Sequence, residues 1–307
     1  MPHIEKTQEA AGPSPDIQRA VGHQMARLLA QPLDPGLHLV ATPIGHLGDV
    51  TLRALATLAQ ADVIYCEDTR RTRILADHYG IDRPLRSYHE HNAERERPQI
   101  LARLGRGDRV ALVSDAGTPL VSDPGYKLVR DAIEAGCLVT CVPGASSVLT
   151  ALTVSGLPTD AFHFGGFMPP RGGQRRTRLE QLAAVPATLV LFETASRLEA
   201  LVADAVEILG GDRPAAVARE LTKLHEEIIR APLGILGERI AGLVGEIVLV
   251  IGPAPDRAVD DAAIEARLRV LLATQTLKDA ARVAADEFAI PKARAYDIAL
   301  AIKRGGP

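Results

Sequence analysis

Residues Arg109 to Ala132 read RVALVSDAGTPLVSDPGYKLVRDA, a stretch that predicts a strand, a loop and a helix in turn. The apolar run from Val110 to Val113 is typical of a strand that is buried on both faces. In open α/β sheets, a loop at the carboxyl end of such a strand is where small ligands bind. Asp115 and Asp123 place two carboxylates in the loop, which suits a ligand with hydroxyl groups or positive charge. A plain turn with helix-capping residues explains the composition equally well.

The composition is that of a globular protein with a substantial core. Hydrophobic residues make up 47% of the 307 residues, and charged residues make up 24%. The net charge of −3 would not attract nucleic acid, so a polyanionic partner needs a local basic patch. The three cysteines form no CxxC pair, which argues against disulfides or zinc and favours a reducing cytosol. Because no apolar run approaches the roughly 18 residues of a membrane span, we expect a cytoplasmic protein without membrane association.

The predicted elements divide the chain into four segments. Residues 1–36 are rich in proline and are expected to form a flexible extension with one short helix from Asp16 to Ala30. Strands and helices alternate through residues 37–157, which indicates a mostly parallel sheet with helices on both faces. Residues 158–256 predict a second α/β domain with more antiparallel character. Residues 257–307 are expected to form a helical appendage.

Four loops that follow predicted strands in residues 37–157 share glycine, hydroxyl or acidic side chains. The carboxyl ends of parallel strands meet at one edge of a sheet, so a ligand could lie across all four loops. None of them is GxGxxG or a P-loop, which disfavours dinucleotide and nucleoside-triphosphate chemistry. The loops are Thr42 to Gly45, Glu67 to Arg70, Ser114 to Pro119 and Pro143 to Ser147.

Titratable side chains also follow predicted strands. Glu67 and Asp68 indicate either a pair of carboxylates in a cleft or capping groups paired with a neighbouring arginine. His89 and His91 lack an obvious third metal ligand, so we expect no metal site and favour a proton acceptor or substrate contact there. The mixed charges from Arg219 to Glu227 are equally typical of a solvated loop.

A basic segment after the first domain contains glycines and no acidic residue. Its positive charge suits contacts with phosphate groups, and a solvent-facing loop is the alternative interpretation. Its arginines are Arg171, Arg175, Arg176 and Arg178. Near the C-terminus, a helix from Leu277 to Glu287 precedes a last helix with Lys292 and Arg294. This order permits a helix-turn-helix, although a packed helical hairpin explains it as well.

Eight motifs in a fixed order make the chain similar to a known family. It resembles the tetrapyrrole methylase superfamily and, within it, the RsmI-type methyltransferases of small-subunit ribosomal RNA. The resemblance covers about Leu37 to Arg304. The motifs are TPIGHLGD (Thr42 to Asp49), EDTRRT (Glu67 to Thr72), HEHN (His89 to Asn92), VSDAGTPLVSDPG (Val113 to Gly125), VPGASS (Val142 to Ser147), GLPTD (Gly156 to Asp160), ARELTK (Ala218 to Lys223) and GEIVLVI (Gly245 to Ile251).

The resemblance implies a two-domain class III methyltransferase with a mostly parallel N-terminal sheet, a mixed second α/β domain and a helical tail. It also implies that the enzyme uses S-adenosyl-L-methionine to methylate the 2′-hydroxyl of a cytidine in the decoding region of 16S rRNA, and that it is usually a homodimer. Such an in-line transfer gains most from alignment of the reactants, and a positioned base adds to it.

The residues that the resemblance carries over fall into three groups. The expected cofactor contacts are Thr42, Pro43, Ile44, Gly45, Asp115, Ala116, Gly117, Thr118, Val121, Ser146, Ser147, Glu193 and Ala231. The candidate bases, among which neither the sequence nor the resemblance chooses, are Glu67, Asp68, His89, His91 and Lys223. Phosphate groups are expected to contact the four arginines of the basic segment together with Arg70 and Arg219.

Three other functions are compatible with parts of the sequence. A methylase of cobalamin or sirohaem synthesis would share the fold and the methyl donor, but it needs a flat apolar acceptor site, whereas the basic segment and the helical tail favour RNA. A ribosome-assembly factor could bind RNA on the same fold without catalysis. A nicotinamide-linked enzyme is disfavoured because the glycine fingerprint is missing.

Overall fold

The computed structural model describes residues 15–254, 261–288 and 290–305. The chain separates into two compact units, Met1–Pro253 and Ala254–Pro307. Within the described residues, no helix is both long and apolar enough to cross a membrane.

The first part of the larger unit alternates helices with strands. Its elements are α1 (Pro15–Ala30), β1 (Gly36–Val40), α2 (Leu52–Gln60), β2 (Val63–Cys66), α3 (Thr69–His78), β3 (Leu85–Ser87), α4 (Ala93–Gly105), β4 (Arg109–Val113), α5 (Tyr126–Glu134), β5 (Val139–Val142) and α6 (Ser147–Ser155). Helix α1 confirms the short helix expected in the N-terminal extension, and residues 1–14 of that extension lie outside the described residues. Helix α2 begins where the sequence predicts, because the Thr51 hydroxyl accepts a hydrogen bond from the Ala54 amide (3.1 Å).

These five strands form one parallel sheet in the order β3-β2-β4-β1-β5. Strand β4 pairs with β1 on one side and with β2 on the other, so that Val110 lies opposite both Leu37 and Val63. Separate apolar clusters pack on the two faces of the sheet, and the apolar residues of β4 are buried between them. The predicted parallel sheet with helices on both faces is therefore confirmed.

The second part of the larger unit contains a mixed sheet. Its elements are β6 (Phe162–Phe167), α7 (Gly172–Ala183), β7 (Thr188–Thr194), α8 (Ala195–Leu209), β8 (Pro214–Arg219), β9 (Glu227–Pro232), α9 (Leu233–Arg239) and β10 (Glu246–Ile251). The strand order is β6-β7-β10-β8-β9, in which only β6 and β7 run parallel and the other neighbours are antiparallel. This arrangement confirms the antiparallel character that the sequence predicts.

Alternate residues of the second sheet point to opposite faces. Leu189 and Leu191 face one large apolar cluster, which includes residues of α7, α8 and α9. Val190 and Val248 face a different cluster, in which α6 and Ile44 take part. Because Ile44 belongs to the loop after β1, this second face lies next to the carboxyl edge of the first sheet.

The basic segment differs from its prediction as a loop, because α7 begins at Gly172. Leu179 and Leu182 are fully buried in the cluster that covers the second sheet. Three residues separate these two leucines, so they share one face of a helix, and their burial draws the preceding arginines into the same helix.

The smaller unit contains three helices among its described residues, α10 (Asp261–Leu272), α11 (Leu277–Phe288) and α12 (Lys292–Lys303), and they share an apolar core. The Thr276 hydroxyl accepts a hydrogen bond from the Asp279 amide (3.3 Å) and donates one to the Asp279 carboxylate (2.6 Å). This contact confirms the predicted cap and the helical appendage.

Candidate functional site

Hydrogen bonds join three loops at the carboxyl edge of the first sheet. The Thr42 amide donates to the Gly117 carbonyl (2.9 Å), and the Gly117 amide donates to the Thr42 carbonyl (3.0 Å). The Thr118 hydroxyl donates to the Ala145 carbonyl (3.2 Å). Gly117 has a φ of +83°, and a Cβ there would lie 3.2 Å from Ile44. The loops after β1, β4 and β5 therefore form one continuous surface.

A first cavity of about 320 Å³ lies between this surface and the second sheet. On the side of the second sheet it is lined by Phe192 and Glu193 of β7 and by Ile247 and Val248 of β10. Nine of the residues expected to contact a cofactor line this cavity. They are Ile44, Asp115, Ala116, Gly117, Thr118, Val121, Ser146, Ser147 and Glu193.

A second cavity of about 310 Å³ adjoins the first. It contains the remaining residues of the loop after β1, namely Thr42, Pro43 and Gly45, and it is also lined by Arg71 and Lys223. The two cavities have four lining residues in common, which are Ile44, Asp115, Ala116 and Glu246. Two molecules that occupied the two cavities would therefore meet at this shared wall.

Ala231 is the one expected cofactor residue that lines neither cavity. It lies on β9, the edge strand of the second sheet, opposite Ala215 of β8. Both residues belong to the face that packs against α8 and α9. Ala218 of β8 points to the other face and lines the first cavity instead.

Several lining residues were not among the sequence predictions. Ser122 and Asp123 lie in the quoted stretch, and their position two or three residues before a helix was the available signal. Phe192, Leu221 and Glu246 come from strands or loops whose neighbours in the second sheet are far apart in sequence. No local pattern marks such residues, because antiparallel pairing alone brings them to the cavity.

Backbone strain occurs on both sides of the cavities. Leu120 and Ser122 have φ values of 72° and 66° in the loop after β4. Glu220 and Thr222 have φ values of 49° and 64° in the loop after β8. Residues other than glycine adopt this region at a cost of order 1–3 kcal/mol, and such residues cluster at functional sites.

Three carboxylates of the first cavity are held by donors from the protein. Asp115 accepts the Asp68 amide (2.8 Å) and lies 3.6 Å from the Arg71 guanidinium. Glu193 is buried and accepts hydrogen bonds from the Thr194 amide (2.7 Å) and from the Arg197 Nε (2.7 Å). Glu246 accepts from the Lys223 ammonium (2.9 Å).

One oxygen of Glu193 has no partner within the described residues. Its Oε1 atom takes the donors above, whereas its buried Oε2 atom accepts no hydrogen bond. A buried acceptor without a donor costs about 1–3 kcal/mol, unless a ligand provides the donor. Glu193 lines the first cavity, so its unpaired oxygen indicates that this cavity receives a ligand with a hydrogen-bond donor.

Asp123 is the fourth carboxylate of the first cavity. Burial, and then the negative charges of Glu67 and Asp115, raise the pKa of Asp123 from 3.8 to about 6, and a hydrogen bond with Ser114 offsets only part of the rise. Desolvation and the charge of Asp115 also raise the pKa of Glu67. The edge of the first sheet thus holds coupled carboxylates, the arrangement that shifts pKa values at catalytic sites.

Two family descriptions match the chain. Tetrapyrrole (Corrin/Porphyrin) Methylases match residues 36–237, and the RsmI C-terminal HTH domain matches residues 258–303. Among curated relatives, ribosomal RNA small subunit methyltransferase I of Mesorhizobium japonicum is 54% identical and spans 83% of this chain and 88% of the relative. The protein of the same name from Escherichia coli O157:H7 is 42% identical over 86% of this chain and 94% of the relative. The chain belongs to the ribosomal RNA small subunit methyltransferase I family of tetrapyrrole methylases.

Solved structures show the same fold as this methyltransferase. Uroporphyrin-III-C-methyltransferase from Thermus thermophilus has a TM-score of 0.53 at 23% identity and covers 71% of this chain and 94% of its own. The methyltransferase CobJ has a TM-score of 0.55 at 21% identity and covers 73% of this chain and 96% of its own. These likenesses confirm the two-sheet methylase fold that the sequence predicts.

Two of the candidate bases of this methyltransferase lie at the end of β2. Asp68 caps α3 and accepts hydrogen bonds from the amide and guanidinium of Arg70, which lower the pKa of Asp68 to about 2. A carboxylate with this pKa is a weak proton acceptor at neutral pH. Glu67 lies beside Asp115 and Asp123 but lines neither cavity.

Lys223 lines the second cavity between two carboxylates. Its ammonium donates to Glu220 (2.9 Å) and to Glu246 (2.9 Å). Burial lowers the pKa of Lys223, but these two hydrogen bonds outweigh burial and leave the pKa raised. The side chain therefore carries a proton at neutral pH, a state in which it binds anions and cannot accept a proton.

His89 and His91 lie after β3, outside both cavities, with ring centroids 6.0 Å apart. His89 is near Glu67, since its charge lowers the pKa of that carboxyl. In the described part of the chain, no group of three or more metal-binding side chains is close enough to hold an ion.

The six arginines expected to contact RNA differ in their surroundings. Arg171 is exposed at the start of α7, and Arg70 is exposed beside Asp68. Arg175 is buried and donates to Asp204 (2.7 Å). Two others also pair within the protein and the last is half-buried; they are Arg176 with Asp204 and Glu207, Arg219 with Glu227 and the Val244 carbonyl, and Arg178 beside Gln181.

The raised pKa of Asp123 predicts a pH-dependent stability. Its pKa is higher in the folded state than in the unfolded chain, so the folded state binds the proton more tightly, and stability decreases as the pH rises from about 4 to about 6. Asp123→Asn removes this loss. We expect the stability of the variant relative to the parent to increase by about 1–2 kcal/mol between pH ~4 and pH ~8, after allowance for partial solvent exposure.

Urea unfolding at several pH values measures this difference. Asp212→Asn, at an exposed turn, is the matched control and should follow the parent at every pH. A constant difference between Asp123→Asn and the parent across this range would contradict the prediction.

Proposed function

We propose that this methyltransferase transfers the methyl group of S-adenosyl-L-methionine to the ribose 2′-hydroxyl of cytidine 1402 in 16S rRNA of the small ribosomal subunit. The observation that carries the proposal is the pair of adjoining cavities in a chain of the ribosomal RNA small subunit methyltransferase I family. One cavity suits a nucleoside donor, and the other has cations for a nucleotide acceptor.

The first cavity is the proposed donor site. The donor combines a sulfonium cation, an ammonium group and a ribose diol with an aromatic base, and it supplies an electrophilic methyl group. Asp115 and Glu193 offer negative charge, and the unpaired Glu193 oxygen offers an acceptor. Thr118, Ser146 and Ser147 provide hydroxyl groups, and the apolar wall includes Phe192. The donor set thus fits a cationic nucleoside better than a phosphate.

The second cavity is the proposed acceptor site. Arg71 and Lys223 line it, so a phosphate group of the RNA chain would find two cations there. The wall that the cavities share, which includes Asp115, is where a ribose oxygen would approach the methyl group. In-line displacement requires this alignment, which is worth several kcal/mol of the activation free energy.

Among the original candidate bases, Glu67, His89 and His91 remain proposals as groups that act on the acceptor proton. Asp68 and Lys223 are disfavoured because Arg70 holds the first ionised and two carboxylates hold the second protonated.

Contacts with the RNA backbone are proposed for the arginines that are accessible, Arg70, Arg171 and Arg178. Arg175, Arg176 and Arg219 are occupied by partners within the protein, so we no longer propose them as primary contacts.

A homodimer in the cytoplasm is proposed as the working state. Large apolar side chains are exposed on one helix of the larger unit, where Tyr126 is 70% and Ile133 is 60% exposed. Exposed apolar groups of this size are typical of surfaces that bind another protein.

A labelling experiment tests the proposed function. Donor with a labelled methyl group is offered to unmethylated small ribosomal subunits, to free 16S rRNA and to uroporphyrinogen. We expect label in ribosomal RNA, at a single cytidine ribose, because the acceptor cavity is lined by cations. Boiled enzyme is the control. Label in the tetrapyrrole but not in RNA would contradict the proposal, and donor binding without any transfer would favour an assembly factor.

A further inference from the structure

The carboxylates of the first cavity differ in whether the protein already occupies their lone pairs. Asp115 takes a backbone amide and lies near Arg71, Glu193 takes an amide and Arg197, and Glu246 takes Lys223. A carboxylate paired in this way is stabilised in its ionised form and gains little by accepting a proton. Three of the four cavity carboxylates are therefore poor proton acceptors.

Asp123 differs from the other three. Among the described residues, it has no cation partner, and its recorded interactions are like charges from Glu67 and Asp115 and a hydrogen bond with Ser114. It is half-buried in the loop after β4, next to Ser122, whose backbone is strained at φ 66°. The loop thus holds one carboxylate against the cavity without neutralising it.

We propose that Asp123 is the group that accepts the proton of the ribose 2′-hydroxyl during methyl transfer. The inference rests on the proposed function and names the residue that carries out one of its steps. The hydroxyl O–H bond breaks and its proton passes to an Asp123 oxygen, while the ribose oxygen forms a bond to the methyl carbon. The methyl–sulfur bond breaks, and its electron pair remains on sulfur as a neutral thioether. Water then takes the proton from Asp123.

The charges around Asp123 suit this role. Glu67 faces it from the end of β2 and Asp115 faces it from its own loop, and both raise its pKa to about 6 together with burial. The carboxylates on the opposite wall, Glu193 and Glu246, are neutralised by their cations. A base with a pKa just below neutral pH is ionised before the reaction and still binds the proton well, which is the optimum for general base catalysis.

Two variants test the assignment, with single-turnover transfer to small subunits at saturating donor as the assay and calorimetry as the measure of donor binding. For Asp123→Asn we expect the transfer rate to fall by about 10²-fold or more, with donor affinity changed less than about threefold. The parent should lose activity below pH ~6, and this acid limb should be absent from the residual activity of Asp123→Asn.

Glu67→Gln removes one of the like charges while Asp123 remains. The acid limb should therefore move to lower pH in this variant, a result that a purely structural role of Asp123 would not produce. Asp212→Asn is the control for both measurements.

The outcomes separate this inference from the proposed function. A parent enzyme that labels no RNA contradicts both. A parent that labels RNA, with Asp123→Asn within about threefold of its rate, overturns the role of Asp123 alone. Lost donor affinity with an undiminished rate at saturation would also overturn it, because Asp123 would then bind the donor instead of the proton.

Discussion

Gly45→Ala is expected to reduce methyl transfer by about 10²-fold, because the loops of the two sheets touch at this glycine. A Cβ at residue 45 would lie 2.6 Å from the Lys223 Cγ and 2.6 Å from the Thr222 Oγ1, and 2.8 Å from the Leu221 carbonyl oxygen. The carbonyl belongs to the backbone, so the added methyl group can be accommodated only if one loop moves.

That movement would affect both proposed sites. The Thr222 hydroxyl accepts a hydrogen bond from the His46 amide (3.1 Å), which locks the loop after β1 to the strained loop after β8. Separation of the loops shifts Ile44 in the shared wall and Lys223 in the second cavity. Displacement of the reactants by about 1 Å is sufficient for a loss of this size.

Single-turnover transfer to small subunits and calorimetric donor binding measure the effect. Gly105→Ala is the matched control, because a Cβ at the end of α4 has no atom within 4 Å. It should retain the parent rate. If Gly45→Ala also remained within about threefold of the parent, the loops would not be in the tight contact described.

Arg175→Ala is expected to decrease the free energy of unfolding by about 3 kcal/mol, at the low end of the range for breaking a buried ion pair. The guanidinium of Arg175 donates to Asp204 at 2.7 Å and 2.6 Å, and the two side chains are only 10% and 13% exposed. Removal of the arginine leaves Asp204 with Arg176 as its remaining cation (3.0 Å). Urea unfolding measures the change.

Two further variants show whether the effect arises from the buried pair. Arg171→Ala, four residues earlier on an exposed position, should alter stability by less than about 0.5 kcal/mol. Asp204→Leu combined with Arg175→Leu should recover part of the loss, because the apolar pair leaves no buried charge. Equal stabilities of Arg175→Ala and Arg171→Ala would mean that Arg175 is a surface residue, as the sequence pattern alone suggested.

The basic segment shows why local patterns mislead about individual arginines. Glycine and arginine without acidic residues predict a cationic loop for phosphate, and Arg171 agrees with this by its exposure. Arg175 and Arg176 instead pair with Asp204, which lies 29 and 28 positions away on another helix. No sequence window of the segment contains that carboxylate, so the pairing could not be predicted from it.

The donor cavity shows the opposite case on one side and the same limit on the other. The loops after β1, β4 and β5 were predictable as one surface, because parallel strands with short connections place their carboxyl ends at the same edge. The wall that faces them was predicted only at Glu193, and Ala231 was placed on the wrong side of its sheet relative to the cavity. A shift of one residue along a strand reverses the face, so this side depends on register.

The amino-acid sequence by itself determined the family, the parallel sheet with its ligand-binding edge, the mixed second sheet and the helical appendage. These features follow from local periodicity, from turn residues and from motifs that lie within short windows. Only the tertiary structure decided which carboxylates are held by cations, which arginines are buried, and that Asp123 stands unneutralised in the cavity. Those properties depend on residues from distant parts of the chain, and burial and charge act through distance in space rather than along the sequence.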